Sequence, residues 1–176
     1  KNRRIHNIIL APNFEVVEQI IDYLNPKANL ESDGRPIFND LTCVEMTEDL
    51  MKISKEIAII PAHAWTPWYG VFGSKTGFDS LEECFKDQTH HIFAIETGLS
   101  SDPSMNWRLS KLDKISFVSN SDCHSPWPWR LGRELNAFEL KHASYKNLLE
   151  AIKSKDKEKF LFTVEVNPNY GKYHWN

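Results

Sequence analysis

Asp122 and His124 lie two residues apart, just after an apolar run that closes with Phe117 and Val118. In an extended segment, side chains at alternate positions point to the same side. A carboxylate and an imidazole can then reach one point, and oxygen and nitrogen donors together suit zinc, manganese or iron, whereas an all-oxygen site suits magnesium. The alternative is an Asp–His hydrogen bond that only holds a loop, because short motifs often occur by chance.

Three further polar residues are associated with strand patterns. His63 follows the apolar run 59–62, Glu96 follows 93–95, and His6 lies within a strand pattern. Glu96 can bridge metal ions, act as a base or orient a ligand through a hydrogen bond. Each residue alone also fits an ordinary structural role. Together they predict one site built from several strands, at which activated water would hydrolyse a phosphate ester.

Short apolar segments alternate with helical patterns along the 176 residues. Strands are predicted at 5–10, 58–61, 92–95, 115–118, 137–140 and 160–166. Helices are predicted at 14–24, 44–53, 80–85, 105–112 and 145–153, the last capped by Ser144. This alternation predicts a single α/β domain over 1–176 with mostly parallel strands, and chemistry at the carboxyl ends of those strands.

Composition narrows the class of protein. The formal net charge is −3, so no overall basic field attracts nucleic acid, although a local basic groove is compatible with it. No apolar run reaches the ~20 residues of a membrane span, and we expect no membrane partner. Three cysteines without paired spacing argue against a disulfide framework or a structural zinc site and predict a reducing, cytoplasmic location.

Basic and aromatic residues surround the candidate ligands in the sequence. Four basic side chains suited to phosphate contact are Lys75, Arg108, Arg130 and Arg133. Four indoles able to stack on an unpaired or flipped base are Trp65, Trp68, Trp127 and Trp129. The alternatives are solvated surface charges and local packing beneath long loops. We take the basic residues, Trp65 and Trp68 as the candidate substrate-binding set.

Several sequence blocks together resemble the PHP-type metallophosphoesterases (the polymerase and histidinol phosphatase family), and more closely their endonuclease Q branch. The blocks lie at 32–36, 61–68, 72–78, 95–103, 105–110, 119–122 and 131–134. The resemblance implies the later part of a distorted (β/α)7 barrel with a multinuclear metal centre. It implies a hydrolase of DNA repair, an endonuclease that cuts DNA on the 5′ side of deaminated bases or abasic sites.

The resemblance also assigns residues. His6, His63, Asp122 and His124 match metal-binding positions, and zinc, manganese or magnesium is the expected cofactor. Asp122, His124 and Glu96 are the candidate catalytic residues, with the role of Glu96 the least defined. The expected DNA partner is damaged or single-stranded.

The chain also departs from the family pattern. The family's N-terminal His-X-His motif and an early metal-bridging Glu would precede Lys1, and the cysteine-rich zinc module of the branch would follow His174. We therefore expect an incomplete PHP metal domain that can be inactive alone. Two alternatives remain open, a small-molecule phosphatase of the same superfamily and a non-catalytic nucleic-acid-binding module.

Overall fold

The structure is a computed structural model that describes residues 3–32, 36–171 and 173. Its six strands in these ranges form three pairs. Two of the pairs are antiparallel and one is parallel. The antiparallel pairs are β1 (Asn7–Leu10) with β2 (Ala58–Pro61) and β5 (Leu135–Phe138) with β6 (Phe160–Val164); the parallel pair is β3 (Ala94–Glu96) with β4 (Ser116–Val118).

The α/β class is confirmed, but the expectation of mostly parallel strands is wrong for the described part of the chain. Helices do separate β1 from β2 and β5 from β6, yet both pairs run antiparallel. A continuous apolar run is typical of parallel strands, but it shows only that both faces are buried, as they are in the antiparallel β2, and tertiary packing decides the direction. The described strands form three two-stranded sheets, and the (β/α)7 barrel stays a prediction.

The strand pairs are joined at their ends by further hydrogen bonds. The backbone N–H of Ala64, just beyond β2, donates to the carbonyl of Glu96 in β3 over 2.9 Å. The N–H of Thr97 donates to the carbonyl of Val118 at the end of β4, also over 2.9 Å. The carboxyl ends of β2, β3 and β4 therefore meet at one edge, which is where the polar residues follow the strands.

Three helices form as the sequence predicts because each begins at a capping side chain. In α1 (Phe14–Leu24), the Asn13 side chain accepts the N–H of Val16. A capping box between Thr42 and Glu45 begins α2 (Cys43–Ile53), and Ser144 caps α5 (Tyr145–Ser154). Their apolar stripes then pack on the strands.

The predicted helix 105–112 is wrong in its extent. Two shorter helices are α3 (Leu81–Phe85) and α4 (Pro103–Asn106), and a 3₁₀ helix over Ser110–Leu112 follows α4. Proline favours the first turn of a helix, so α4 begins earlier than expected, at Pro103. It ends at Asn106, whose buried side chain donates to the carbonyl of Asp102.

Two hydrophobic clusters lie on opposite sides of β2. Ile59 belongs to a cluster with Leu50 and Phe85, whereas its neighbour Ile60 belongs to one with Leu149. Successive side chains of a strand point to opposite faces, so a fully buried strand serves both clusters. No helix within the described ranges is long and apolar enough to cross a bilayer.

Candidate active site

His6, just before β1, and His63, just after β2, come into direct contact. Nδ1 of His6 lies 3.1 Å from Nε2 of His63. Two backbone hydrogen bonds fix His6: its N–H donates to the carbonyl of Tyr69, and its carbonyl accepts the N–H of Ala62. The imidazole of His6 also stacks on the Tyr69 ring, with centroids 4.6 Å apart and planes 1° apart. The structure therefore brings together the two histidines predicted as ligands.

His63 is held in an unusual backbone conformation directly after β2. Its φ is +33°, and it is buried, with 7% of its surface exposed. Its Nδ1 atom is buried and has no hydrogen-bond partner among the described residues. Burial lowers the pKa of His63, Asp122 opposes that shift, and His124 adds to it. The neutral imidazole, which is the form that binds a metal ion, is thus favoured.

Glu96 connects the histidine pair to the loop after β4. Its Oε2 atom accepts the backbone N–H of His63 at 2.7 Å, and its Oε1 atom accepts Nδ2 of Asn120 at 2.8 Å. Burial raises the pKa of Glu96, the two hydrogen bonds oppose the shift, and the charge of Asp122 adds to it. Glu96 therefore links the backbone of His63 to Asn120, which lies two residues before Asp122.

Asp122 and His124 lie in the loop between β4 and β5, and both are exposed. Nδ1 of His124 is 3.0 Å from the carbonyl of Asp122 and 3.7 Å from its Oδ1 atom. The pair does form, but the strand argument for it is wrong. The strand ends at Val118, and Asp122 has a φ of +47°, so the alternation of an extended chain does not apply.

A polar network beneath this loop was missed by the sequence analysis. The Asn136 side chain accepts the N–H of Ser119 and donates to the carbonyl of Ser119 and to Oδ1 of Asn120. The hydroxyl of Ser119 donates to Glu134, which also accepts the N–H of Val166. Asn120 and Glu134 belong to sequence blocks that carry the resemblance, which was the only available signal.

The donor atoms of the predicted metal centre have suitable chemistry but are grouped two and two. Imidazoles of His6 and His63 form one pair, and Asp122 with His124 forms the other. Across residues 3–32, 36–171 and 173, no group of three or more His, Cys, Asp or Glu side chains is arranged to hold a metal ion. The buried, unpartnered Nδ1 of His63 is the feature that best fits a metal ligand.

Some of the predicted site residues line two separate cavities. One, of about 450 Å³, is lined by Glu96, Asn120 and Asp122 together with apolar side chains. The other, of about 310 Å³, is lined by Trp65 and Arg108 and shares no residue with the first. Trp65 packs against the core and donates Nε1–H to the buried Asn106 at 2.8 Å. Its surroundings are those of a packing residue.

The other predicted substrate residues lie on two loops. Lys75 and Trp68 are exposed on the loop between β2 and α3, where the backbone N–H of Lys75 donates to Pro67. Arg130 is half-buried in the loop between β4 and β5. Arg133 donates Nε–H to the carbonyl of Ser121 at 2.9 Å, so it fastens that loop. Within the first block of the resemblance, residues 33–35 lie outside the described part of the chain.

Fold and site together define a mixed α/β domain with histidine and carboxylate side chains at the carboxyl ends of its strands. The crystal structure of the lesion-specific endonuclease PfuEndoQ from Pyrococcus furiosus matches with a TM-score of 0.85 and 36% identity, over 97% of this chain and 41% of that one. A crystal structure of endonuclease Q with a 27-mer duplex substrate, bearing an abasic lesion at its active site, matches with a TM-score of 0.86 and 36% identity, over 98% and 42%. The resemblance to endonuclease Q is thereby confirmed.

Two curated relatives have no described function. YqxK of Bacillus subtilis is 29% identical over 172 residues, which are 97% of this chain and 42% of that protein. MJ0043 of Methanocaldococcus jannaschii is 35% identical over 117 residues, 64% of this chain and 14% of that protein. No known family profile matches the chain. The chain spans less than half the length of the proteins it matches.

Proposed function

We propose that this chain is part of a metal-dependent endonuclease that incises DNA on the 5′ side of deaminated bases or abasic sites. The observation that carries the proposal is the contact between His6 and His63 at the same edge where Glu96 joins His63 to the loop of Asp122. A chain similar to endonuclease Q thus has imidazoles and carboxylates beside one another where its strands end. The proposal concerns the complete protein, because this chain matches only part of its relatives.

In this proposal His6, His63, Asp122 and His124 are the ligands. A bound zinc, manganese or magnesium ion would lower the pKa of a coordinated water and neutralise charge on the phosphate diester. Burial keeps His63 neutral and therefore able to bind. Asp122 and His124 are exposed, so a large polymer can approach them.

We propose that Glu96 positions His63 and the loop that carries Asp122. Its carboxylate holds the backbone of His63 with one oxygen and the Asn120 amide with the other. Both hydrogen bonds favour the ionised form of Glu96 and oppose the rise in its pKa that burial causes. The carboxylate also faces the cavity that Asp122 lines, which is where a reacting phosphate would be expected.

The test is an incision assay on the complete protein. Duplexes of one sequence would carry an abasic site, a uracil, or no lesion, and each would be tested with manganese, zinc or magnesium and then with a chelator. We expect cleavage 5′ to the lesion that the chelator abolishes and added metal restores. His63→Ala and Asp122→Ala should each lose more than the roughly 10- to 100-fold typical of residues that only support metal ligands.

Matched controls are available on the surface. His142→Ala and Asp87→Ala remove exposed side chains of the same types far from the candidate ligands in the sequence, and should leave incision unchanged. Turnover of small phosphate esters without cleavage of DNA would instead indicate a small-molecule phosphatase. Binding of DNA with no metal content and no cleavage would indicate a binding module, and either result would refute the proposed endonuclease.

A further inference from the structure

We propose that Trp127 and Trp129 form a stacking surface for an unpaired nucleobase of bound DNA. We call these two side chains the indole platform. The inference rests on the proposed function, because it takes DNA as the ligand. It adds a binding site on the loop that carries the predicted Asp-X-His ligands.

The two indoles are stacked and exposed to solvent. Their ring centroids lie 5.1 Å apart with planes 7° apart, and the residues are 57% and 67% exposed. Burying aromatic surface is strongly favourable, so a contiguous pair left in water is an unusual arrangement. Trp65 provides the contrast, because it packs against the core and its Nε1–H donates to Asn106. The local-packing alternative therefore describes Trp65 but not the indole platform.

Backbone hydrogen bonds hold the platform in a compact turn. The N–H groups of Arg130 and Leu131 both donate to the carbonyl of Trp127, over 2.9 and 3.2 Å. The Nε–H group of Arg133 then donates to the carbonyl of Ser121 over 2.9 Å and closes the loop against the end of β4. The turn that bears the platform is thus tied through Arg133 to Ser121, the residue before Asp122, and a base on it would lie on the same loop.

A nucleobase is the ligand that this chemistry favours. A flat aromatic face stacks on any base, whatever its sequence, and a neighbouring guanidinium such as that of Arg130 can add a cation–π contact or pair with phosphate. The net charge of −3 gives no general attraction to DNA, so local contacts must provide affinity. Duplex DNA with an abasic site contains one base without a partner, the base opposite the lesion, which is free to leave the stack.

The test compares DNA that has bases with DNA that lacks them. The complete protein, with a chelator present, would be titrated with a thymidine decamer and with a decamer of abasic spacers of the same length and charge. We expect tighter binding of the thymidine decamer, with quenching of tryptophan fluorescence. Trp127→Ala and Trp129→Ala should each weaken that binding about 5- to 150-fold and leave binding of the spacer decamer unchanged.

Two variants complete the design. Trp129→Phe keeps an aromatic face and should retain a preference for thymidine that Trp129→Ala loses. Trp107→Ala is the matched control, because Trp107 is also 67% exposed but follows α4. It should bind both decamers like the wild type. If an Ala variant of the platform fails to fold, quenching of the wild-type protein by thymidine but not by spacer still supports the platform, and equal quenching overturns it.

Other results would overturn the inference. Equal affinity of the wild type for both decamers, or an equal loss for both in the platform variants, would indicate an electrostatic role only. A dimer that dissociates on Trp129→Ala, with DNA binding unchanged, would assign the surface to a second copy of the chain. Failure of the endonuclease proposal can be distinguished from failure of this inference. A protein that binds the thymidine decamer more tightly but never incises abasic duplex would support the indole platform and refute the endonuclease.

Discussion

Gly98 lies directly against His63. A Cβ atom added to Gly98 would be 2.7 Å from Cβ of His63 and 2.8 Å from its Cα, well inside van der Waals contact. Gly98 also has a φ of +62°, in the left-handed region that residues with a side chain rarely adopt. The backbone after β3 therefore supports the histidine after β2, and only glycine leaves the space that His63 needs.

Replacing Gly98 by alanine should destabilise the protein and displace His63. The left-handed conformation alone costs about 1–2 kcal/mol for an L-residue, and the overlap with His63 adds to it. Gly132→Ala is the matched control, since Gly132 has a φ of +66° but no atom within 4 Å of an added Cβ. Urea unfolding of both variants measures the difference. Equal losses of stability would show that Gly98 does not support His63.

Glu96→Gln should weaken the site while sparing the fold. A carboxamide can accept only one of the two hydrogen bonds that Glu96 now accepts, because its NH₂ group would face another donor, either Asn120 or the His63 backbone. We expect incision to fall roughly 10- to 100-fold, less than for His63→Ala. Initial rates on abasic duplex provide the measurement. A loss as large as that of His63→Ala would instead make Glu96 a residue that contacts the reacting groups.

The stability of the protein should depend on pH through Glu134. Burial raises the pKa of Glu134 to about 7, Ser119 and the Val166 N–H oppose the shift, and Glu165 and Glu96 add to it. The pKa of an unfolded glutamate is about 4.3. Because the folded value is the higher one, the stabilisation is complete below about 4.3 and is lost as the pH rises towards 7.

Glu134→Gln removes this titration and can keep both hydrogen bonds, with its oxygen accepting from Val166 and its NH₂ donating to Ser119. Chemical unfolding between pH 4 and 8 should show that the wild type loses stability relative to the variant as pH rises. Glu139→Gln changes an exposed glutamate nearby and serves as the control. If wild type and Glu134→Gln keep a constant difference across this range, the buried carboxyl does not titrate there.

Trp65 should contribute to the stability of the folded protein rather than to its affinity for DNA. Its Nε1–H donates to Asn106, whose own amide donates to the Ser101 hydroxyl and the Asp102 carbonyl. Trp65→Phe would leave the buried oxygen of Asn106 without that donor, which typically costs about 1–3 kcal/mol. Thermal unfolding and DNA titration of this variant separate the two roles. Unchanged stability with weakened DNA binding would restore Trp65 to the substrate-binding set.

Local signals in the sequence correctly identified most of the elements. The helix Phe14–Leu24 and the strand Ala58–Pro61 were predicted with the bounds that the structure has, because a capping residue and a continuous apolar run are encoded within each segment. Helix 105–112 was misjudged because Pro103 and Asn106 define a shorter one. Strand direction could not be inferred, since it depends on which strands become neighbours.

In the candidate site too, local sequence patterns predicted some residues, whereas the roles of others depend on contacts between distant parts of the chain. Residue types after strand patterns pointed to His63, Glu96 and the Asp122–His124 pair, and His6 lay within such a pattern. The structure brings the histidines into contact and joins Glu96 to the His63 backbone and Asn120. Their function as metal ligands stays a prediction. Asn136 gave no signal and Gly98 gave none beyond its place in a block that carries the resemblance, because an amide or a glycine acquires such a role only from what packs against it.

The sequence by itself determined where most strands and helices form and the resemblance to endonuclease Q, and it predicted which residues bind a metal ion or a base. Only the tertiary structure decided that Asp122 reaches His124 through a left-handed turn, that Arg133 fastens a loop, and that Trp65 is packed while Trp127 and Trp129 are exposed. Periodicity and capping act within a few residues of one another, whereas burial and long-range hydrogen bonds depend on segments distant in the chain.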